Sequence, residues 1–268
     1  MTSAAAALKP DIALSVTGLV VHFGGLVAID DMTLEVRQGE VLSLIGPNGA
    51  GKTTAFNAIT GYLPPVAGDI VYRNRRLNGL RPNQIAELGV VRTFQKTSVF
   101  PGRTVLGNVL IGLHLQSTQR PLAIIFGLAS VAREERALET EARRILEFVG
   151  LAARADELGS ALPYGEQRLL EIAVALAAKP SLLLLDEPVS GMNAAETASF
   201  MKKLAEIRSL GITVLLVEHD MKMVMGVSDR IVCLNQGRII ANGTPAEIQR
   251  NPDVIRAYLG EKYARAHT

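Results

Sequence analysis

The stretch GPNGAGKTT at residues 46–54 holds residue types that could grip a phosphate. Gly46, Gly51, Lys52 and Thr53 match the spacing GxxxxGK[ST] after an apolar, strand-like run and before a helical one, which is the context that gives the pattern meaning. Glycines let backbone N–H groups turn toward a phosphate, and a helix beginning there adds a favourable dipole. Lys52 supplies a point charge and the Thr53 hydroxyl can ligate Mg²⁺. Pro47, Asn48, Gly49 and Ala50 inside the loop, with Thr54 after it, complete the candidate nucleotide contacts. LLLLDEP at 182–188 supplies the other half of such a site, because a buried strand ending in acids presents them at a sheet's C-terminal edge. Asp186 is expected to hold Mg²⁺ through water. Its neighbour Glu187, pointing the other way, is expected to take a proton from an attacking water. These features alone suit a kinase, a GTPase or a helicase equally well.

The elements that must position these residues read as an α/β chain. Residues 12–45 alternate short β-prone runs with turns, an antiparallel region feeding one buried strand, VLSLI, that leads into the glycines. Thr53 to Thr60 reads as a helix. LLLL at 182–185 and ITVLLVEH at 212–219 read as further buried strands of a largely parallel sheet. Upstream of LLLL, about 97–178 has helical periodicity. Leu138, Ala142, Ile145 and Val149 share one face, and Glu139 is one turn from Arg143. Leu169, Ala173 and Leu176 likewise mark one face of the helix after ALPYGEQR. The run PLAIIFGLASVA at 121–132 is too short to span a bilayer and suits core packing or a docking surface.

Composition bounds the partners. The chain has 268 residues, 48% of them hydrophobic, enough for a substantial core. A formal charge of +2 does not point to nucleic acid or anionic lipid as the main partner. The single cysteine, Cys233, sits in the apolar run IVCL, so a buried thiol and a reducing compartment are expected. The N-terminal MTSAAAALKP lacks the layout of a secretory signal, and no segment reaches the roughly 20 apolar residues of a spanning helix. Any membrane role is then played from the surface.

ALPYGEQRLLEIA, from Ala161, places a short glycine-containing turn before an amphipathic helix about one helix upstream of the Asp186 strand. Here the chain resembles the ATP-binding subunits of ABC transporters, whose signature has the form LSGGQ. Other marks of that family follow in order: Gln95 in RTFQ, SGMN at 190–193 and His219 in VEHD, with Phe23 where an aromatic stacks on adenine. The resemblance spans about residues 11–260. It implies an α/β fold, a P-loop NTPase of ABC type with a mixed-sheet core, an antiparallel β subdomain and an inserted helical subdomain. The implied limits are a catalytic core of about 11–96 and 180–260, a helical subdomain of about 97–179 and an N-terminal tail of 1–10.

The same resemblance implies ATP and Mg²⁺ as ligands, with Thr53, Gln95 and Asp186 at the metal and Glu187, His219 and Gln95 in catalysis. Pro163, Tyr164, Gly165 and Glu166 would meet the ATP of a partner subunit in a head-to-tail pair. Pro163 stands where the family usually has Ser, so that composite site is expected to sense the γ-phosphate less well. VVRTFQ, LLLLDEPVSGMN and the tail NGTPAEIQRNPDVIRAYLG resemble an ATPase subunit of bacterial branched-chain amino acid importers. The implied partners are a second ABC ATPase subunit in a heterodimer or homodimer, membrane permeases and, indirectly, a periplasmic binding protein, with no nucleic acid. The implied place is the cytoplasmic face of the inner membrane. Relatives that carry urea, other amino acids or amides, or that export lipopolysaccharide, share this architecture, and a soluble ABC ATPase of another class is the remaining alternative.

Overall fold

The structure, a computed structural model, describes residues 11–93, 99–113 and 129–259, with backbone alone at 129–132 and 259. The tail 1–10, Gln95 and most of the apolar run at 121–132 lie outside the described residues. In chain order the strands are β1 (Ile12–Phe23), β2 (Leu26–Arg37), β3 (Val41–Ile45), β4 (Ala67–Tyr72), β5 (Arg75–Arg76), β6 (Val90–Arg92), β7 (Leu182–Asp186), β8 (Thr213–Val217), β9 (Arg230–Asn235) and β10 (Arg238–Gly243). The helices are α1 (Lys52–Ile59), α2 (Pro82–Glu87), α3 (Val105–Leu113), α4 (Ala129–Val149), α5 (Tyr164–Ala177), α6 (Ala194–Ser209), α7 (Met221–Val227), α8 (Pro245–Arg250) and α9 (Pro252–Leu259). The chain divides into two compact units. One comprises Met1–Arg92, Ser181–Glu187 and Met201–Thr268, and the other Thr93–Pro180 and Pro188–Phe200.

The first unit holds two sheets. β2-β1-β4-β5 is antiparallel, and along β2 Met32, Leu34 and Val36 are buried while Thr33, Glu35 and Arg37 face water. That alternation is what a strand with one wet face requires. The second sheet runs β10-β9-β3-β8-β7-β6, with every neighbouring pair parallel except β9 and β10. β3, β7 and β8 are buried at every position. Continuous apolar runs such as LLLL are therefore the pattern of parallel strands covered on both faces. The sequence reading found β3, β7 and β8 but not the strand pairs around β4, β6 and β10, which are short or polar.

One core cluster joins Leu14, Ile29 and Leu34 of the antiparallel sheet to Leu44, Leu184 and Leu215 of the parallel one, with Phe56 of α1 fully buried among them. Burying each such side chain contributes about 1.5–3 kcal/mol. The opposite face of the parallel sheet is closed by Val224, Ile248 and Val254 of α7, α8 and α9 packing on Ile45, Ile231 and Cys233.

The second unit packs α3, α4 and α5 together. α3 and α5 approach closely at Gly112, where a Cβ would stand 2.5 Å from the Val174 carbonyl oxygen. On α4 the buried residues are Ala142, Leu146 and Val149, and Arg143 donates to Glu139 at 2.9 Å as the four-residue spacing predicts. On α5 the deepest residues are Leu170, Ala173 and Ala177. The face marked by Leu169 and Leu176 is therefore rotated by one position, with Ala177 small enough to sit against Gly112 of α3.

Cys233 is buried in β9, and burial pushes its thiol up to about 11. Since the thiolate is the nucleophile, the native protein at pH 8 is expected to resist a disulfide reagent. In denaturant it should release one thiol equivalent per chain, and rapid native labelling at pH 8 would contradict the packing.

Candidate functional site

Three strands of the parallel sheet end at one edge and carry the chemistry. β8 lies between β3 and β7, so the ends of β3, β7 and β8 put the glycine loop, Asp186 and His219 on neighbouring strands. β3 is flanked by β8 and β9, both later in the chain, which makes its C-terminal end the place where an open α/β sheet opens a crevice.

The glycine loop is built from backbone. Gly46 has φ +150° and a Cβ there would lie 2.0 Å from the Leu234 carbonyl oxygen. Gly51, at φ +106°, would place one 2.6 Å from the Ala28 oxygen. No side chain fits at either position, so the loop runs tight against β9 and β2. Gly51 is also the N-cap of α1, whose first turn has neither an acid nor a side-chain cap, leaving its N–H groups open to an anion. Lys52 is buried, and its Nζ donates to the carbonyls of Gly46 at 2.7 Å and Pro47 at 3.1 Å. Burial lowers its pKa, while the carboxylates of Glu187 and Asp186 act the other way. Thr53, Asn48 and Gly49 are exposed, Pro47 and Thr54 half-buried, and Ala50 buried.

The two adjacent acids have different surroundings. Asp186 is 3% exposed and its Oδ2 accepts from Arg92 Nη2 at 2.7 Å. Arg92 Nη1 also donates to Asn57 of α1 at 2.7 Å, and the guanidinium lies 5.4 Å from the centre of the Phe56 ring. Glu187 instead sits in the left-handed backbone region at φ 49°, held there by its N–H donating to Val217 at 2.8 Å. That conformation is costly for a residue with a Cβ, and such strain gathers at functional sites. Glu187 Oε1 stands 2.7 Å from His219 Nε2. The turn bearing His219 is fixed by Glu218, whose Oε2 accepts the N–H groups of His219 and Asp220, and by Asp220, which caps α7 by accepting from Met223.

Phe23 ends β1 at a hairpin beside Leu26 and is 49% exposed, an aromatic face open to a flat ligand. Among the described residues no cluster of three His, Cys, Asp or Glu side chains could hold a metal by itself. The Thr53 hydroxyl and the Asp186 carboxylate are oxygen donors of the kind Mg²⁺ takes, an ion that keeps waters and substrate phosphates as its other ligands.

The second unit positions the other candidates by itself. Pro163 is the N-cap of α5, at φ −54° and ψ 153°, and lends no side-chain hydrogen bond. Tyr164 follows, its hydroxyl accepting from Arg168 Nε at 3.1 Å and Nη2 at 2.7 Å, and Arg168 also pairs with buried Glu171 at 2.9 Å. The Tyr164 ring lies against Gly191 of the SGMN turn, where a Cβ would be 2.9 Å away. Gly165 makes similar room for Glu196, and Glu166 pairs with Arg154 at 2.8 Å. Asn193 caps α6 by accepting from Ala195 and Glu196.

Sequence reasoning missed Arg92, Asn57, Glu218 and the pair Arg168–Glu171. A signal existed for Arg92: a lone cation closes β6, the strand paired with the one that ends in Asp186.

Fold and site together define a P-loop nucleotide hydrolase. The family model described as ABC transporter matches residues 29–190, and the chain belongs to that family. A second model, described as branched-chain amino acid ATP-binding cassette transporter, matches 238–264. The chain is 48% identical over 249 residues, 92% of its own length and 98% of the relative's, to the high-affinity branched-chain amino acid transport ATP-binding protein LivG of Escherichia coli (strain K12). Similarity to the corresponding BraF of Pseudomonas aeruginosa is 45% over the same shares. Among solved structures, the ADP conformation of MJ1267, an ATP-binding cassette of an ABC transporter, superposes with a TM-score of 0.81 at 32% identity, covering 93% of this chain and 99% of that one.

Removing one partner of a buried ion pair leaves the other charge without compensation, at a cost of about 3–5 kcal/mol. Arg92→Ala is therefore expected to lower nucleotide-free stability by about that much in denaturant unfolding. The double variant Arg92→Met/Asp186→Leu should recover most of it, and equal losses in both would refute the coupling.

Proposed function

We propose that this chain is the ATP-hydrolysing subunit of a branched-chain amino acid importer. The observation that carries the ATPase reading is the joint placement, on neighbouring strand ends, of an uncapped helix start with Lys52 and of Glu187 against His219. Likeness over nearly the whole length to transport proteins named for branched-chain amino acids, with a tail matching that group's own model, supports the cargo.

In this reading the loop N–H groups between Asn48 and Thr54 and the Lys52 ammonium hold the phosphates, and Phe23 stacks on the base. Lys52 exchanges the carbonyls of Gly46 and Pro47 for phosphate oxygens when nucleotide arrives. Thr53 and Asp186, with Gln95 from the family pattern, would hold Mg²⁺, which would neutralise phosphate charge when bound. Glu187 takes the proton of the attacking water, and its strained backbone aims the carboxylate away from the Arg92–Asp186 pair and toward His219. His219 orients Glu187 and stabilises charge on the terminal phosphate as it leaves.

Two such cassettes work head to tail, so that Pro163, Tyr164, Gly165 and Glu166 face ATP held by a second ATPase subunit. Pro163 offers no donor, and the N–H groups of the α5 start make the contact. No helix among the described residues is long and apolar enough to cross a membrane. The chain acts peripherally at the cytoplasmic face of the inner membrane, driving permeases that carry amino acid delivered to them by a periplasmic binding protein.

Glu187→Gln keeps size and polarity while removing the base. In the assembled transporter it is expected to bind ATP normally and to hydrolyse it at least about 10²-fold more slowly. Near-normal phosphate release would overturn the role given to Glu187.

A further inference from the structure

The glycine loop has a contact that comes from the far end of the chain. Gly46 N–H donates to the Tyr258 hydroxyl oxygen at 2.8 Å. Tyr258 lies in the last turn of α9, a helix whose start is set by Asn251, whose side chain accepts from Asp253 and Val254, and by Pro252 at its first position. Val254 of the same helix packs in the cluster that contains Ile45, the residue before Gly46, and Cys233. α9 is thus seated on the end of β3 by an apolar contact and reaches the loop by a polar one.

Gly46 needs such an outside restraint. It has no Cβ to limit its torsions, and its own carbonyl accepts the Lys52 ammonium at 2.7 Å. On one side the Leu234 carbonyl blocks it, and on the other Tyr258 fixes the direction of its N–H. Burial pushes the Tyr258 hydroxyl up to about 12, so it remains a neutral group able to accept this bond at any working pH.

We propose that Tyr258 is a positioning residue for the phosphate loop, setting the peptide through which the loop leaves β3 and thereby the affinity for nucleotide. The C-terminal segment matched by its own family model is then part of the nucleotide site. The proposal rests on reading residues 46–54 as the phosphate loop, and it assigns Tyr258 to binding and not to the hydrolytic step.

Tyr258→Phe removes only the acceptor. With the full-length chain, its affinity for a fluorescent ADP, measured by equilibrium titration, is expected to fall about three- to tenfold, the range for one lost hydrogen bond. Nucleotide-free Tm should drop by only about 2–4 °C, and turnover at saturating ATP in the assembled transporter should stay within twofold of the parent. A purely packing role would lower Tm and leave ADP affinity unchanged, and an affinity within twofold of the parent overturns the proposal. A loss of saturating turnover with affinity intact overturns it as well. Lys52→Ala serves as the reference: unaltered ADP affinity there means that the loop assignment itself is wrong, a failure distinct from that of Tyr258.

Discussion

Everything in the catalytic unit is arranged around the tight passage of Gly46 beneath Leu234. A Cβ at Gly46 would sit 2.0 Å from a backbone oxygen, so the first residue after β3 is committed to glycine by packing before any ligand is considered. The close approach is possible because β3 lies beside β9 in parallel register, with Ile45 opposite Cys233 and Leu234 next along. From there the chain folds back over Lys52 and starts α1 at Gly51, itself too close to the Ala28 oxygen for a side chain. A backbone cradle must be assembled by main-chain packing, since side chains would occupy the space that the phosphates need.

Electrostatics then separates two neighbouring carboxylates. Asp186 and Glu187 are one residue apart, and without distinct partners their charges would repel each other in a poorly solvated place. The structure gives Asp186 a buried guanidinium and Glu187 a half-exposed imidazole, with the left-handed turn at Glu187 separating the directions. The buried pair costs desolvation that the attraction alone does not clearly offset, so its worth lies in fixing geometry. Arg92 ties β6, β7 and α1 together through Asp186 and Asn57, and the loop's helix cannot shift without disturbing the acid strand.

Much of this was legible in the sequence where one residue type has one physical use. GxxxxGK[ST] after VLSLI located the loop because only glycine tolerates those torsions, and LLLLDE located the acids because fully apolar strands belong in a covered parallel sheet. What escaped was set by pairing across the chain. β6, three residues long, has no pattern of its own and exists because β7 gives it a ladder. The rotation of the α5 face brings Ala177 against Gly112 of α3, a small residue that helical periodicity does not rank above leucines. Arg92, Glu218 and Tyr258 read as ordinary polar or aromatic residues until the fold brings their partners within hydrogen-bond distance.

The signature turn of the second unit follows the same logic with different materials. The family pattern has Ser and then Gly where this chain has Pro163 and Tyr164, a loss of a hydroxyl and of a flexible residue. Pro163 compensates for flexibility by fixing its own φ at the helix start, and Tyr164 adds a ring that fills the space left open over Gly191. Arg168 holds the Tyr164 hydroxyl, and Glu171 holds Arg168, so the turn is braced from within its own helix. The SGMN turn is braced in parallel by Asn193 and Glu196, and Gly165 leaves room for the latter. Rigidity is what the turn gains for the hydroxyl it lacks, since a helix start held in one place has little conformational freedom left to lose.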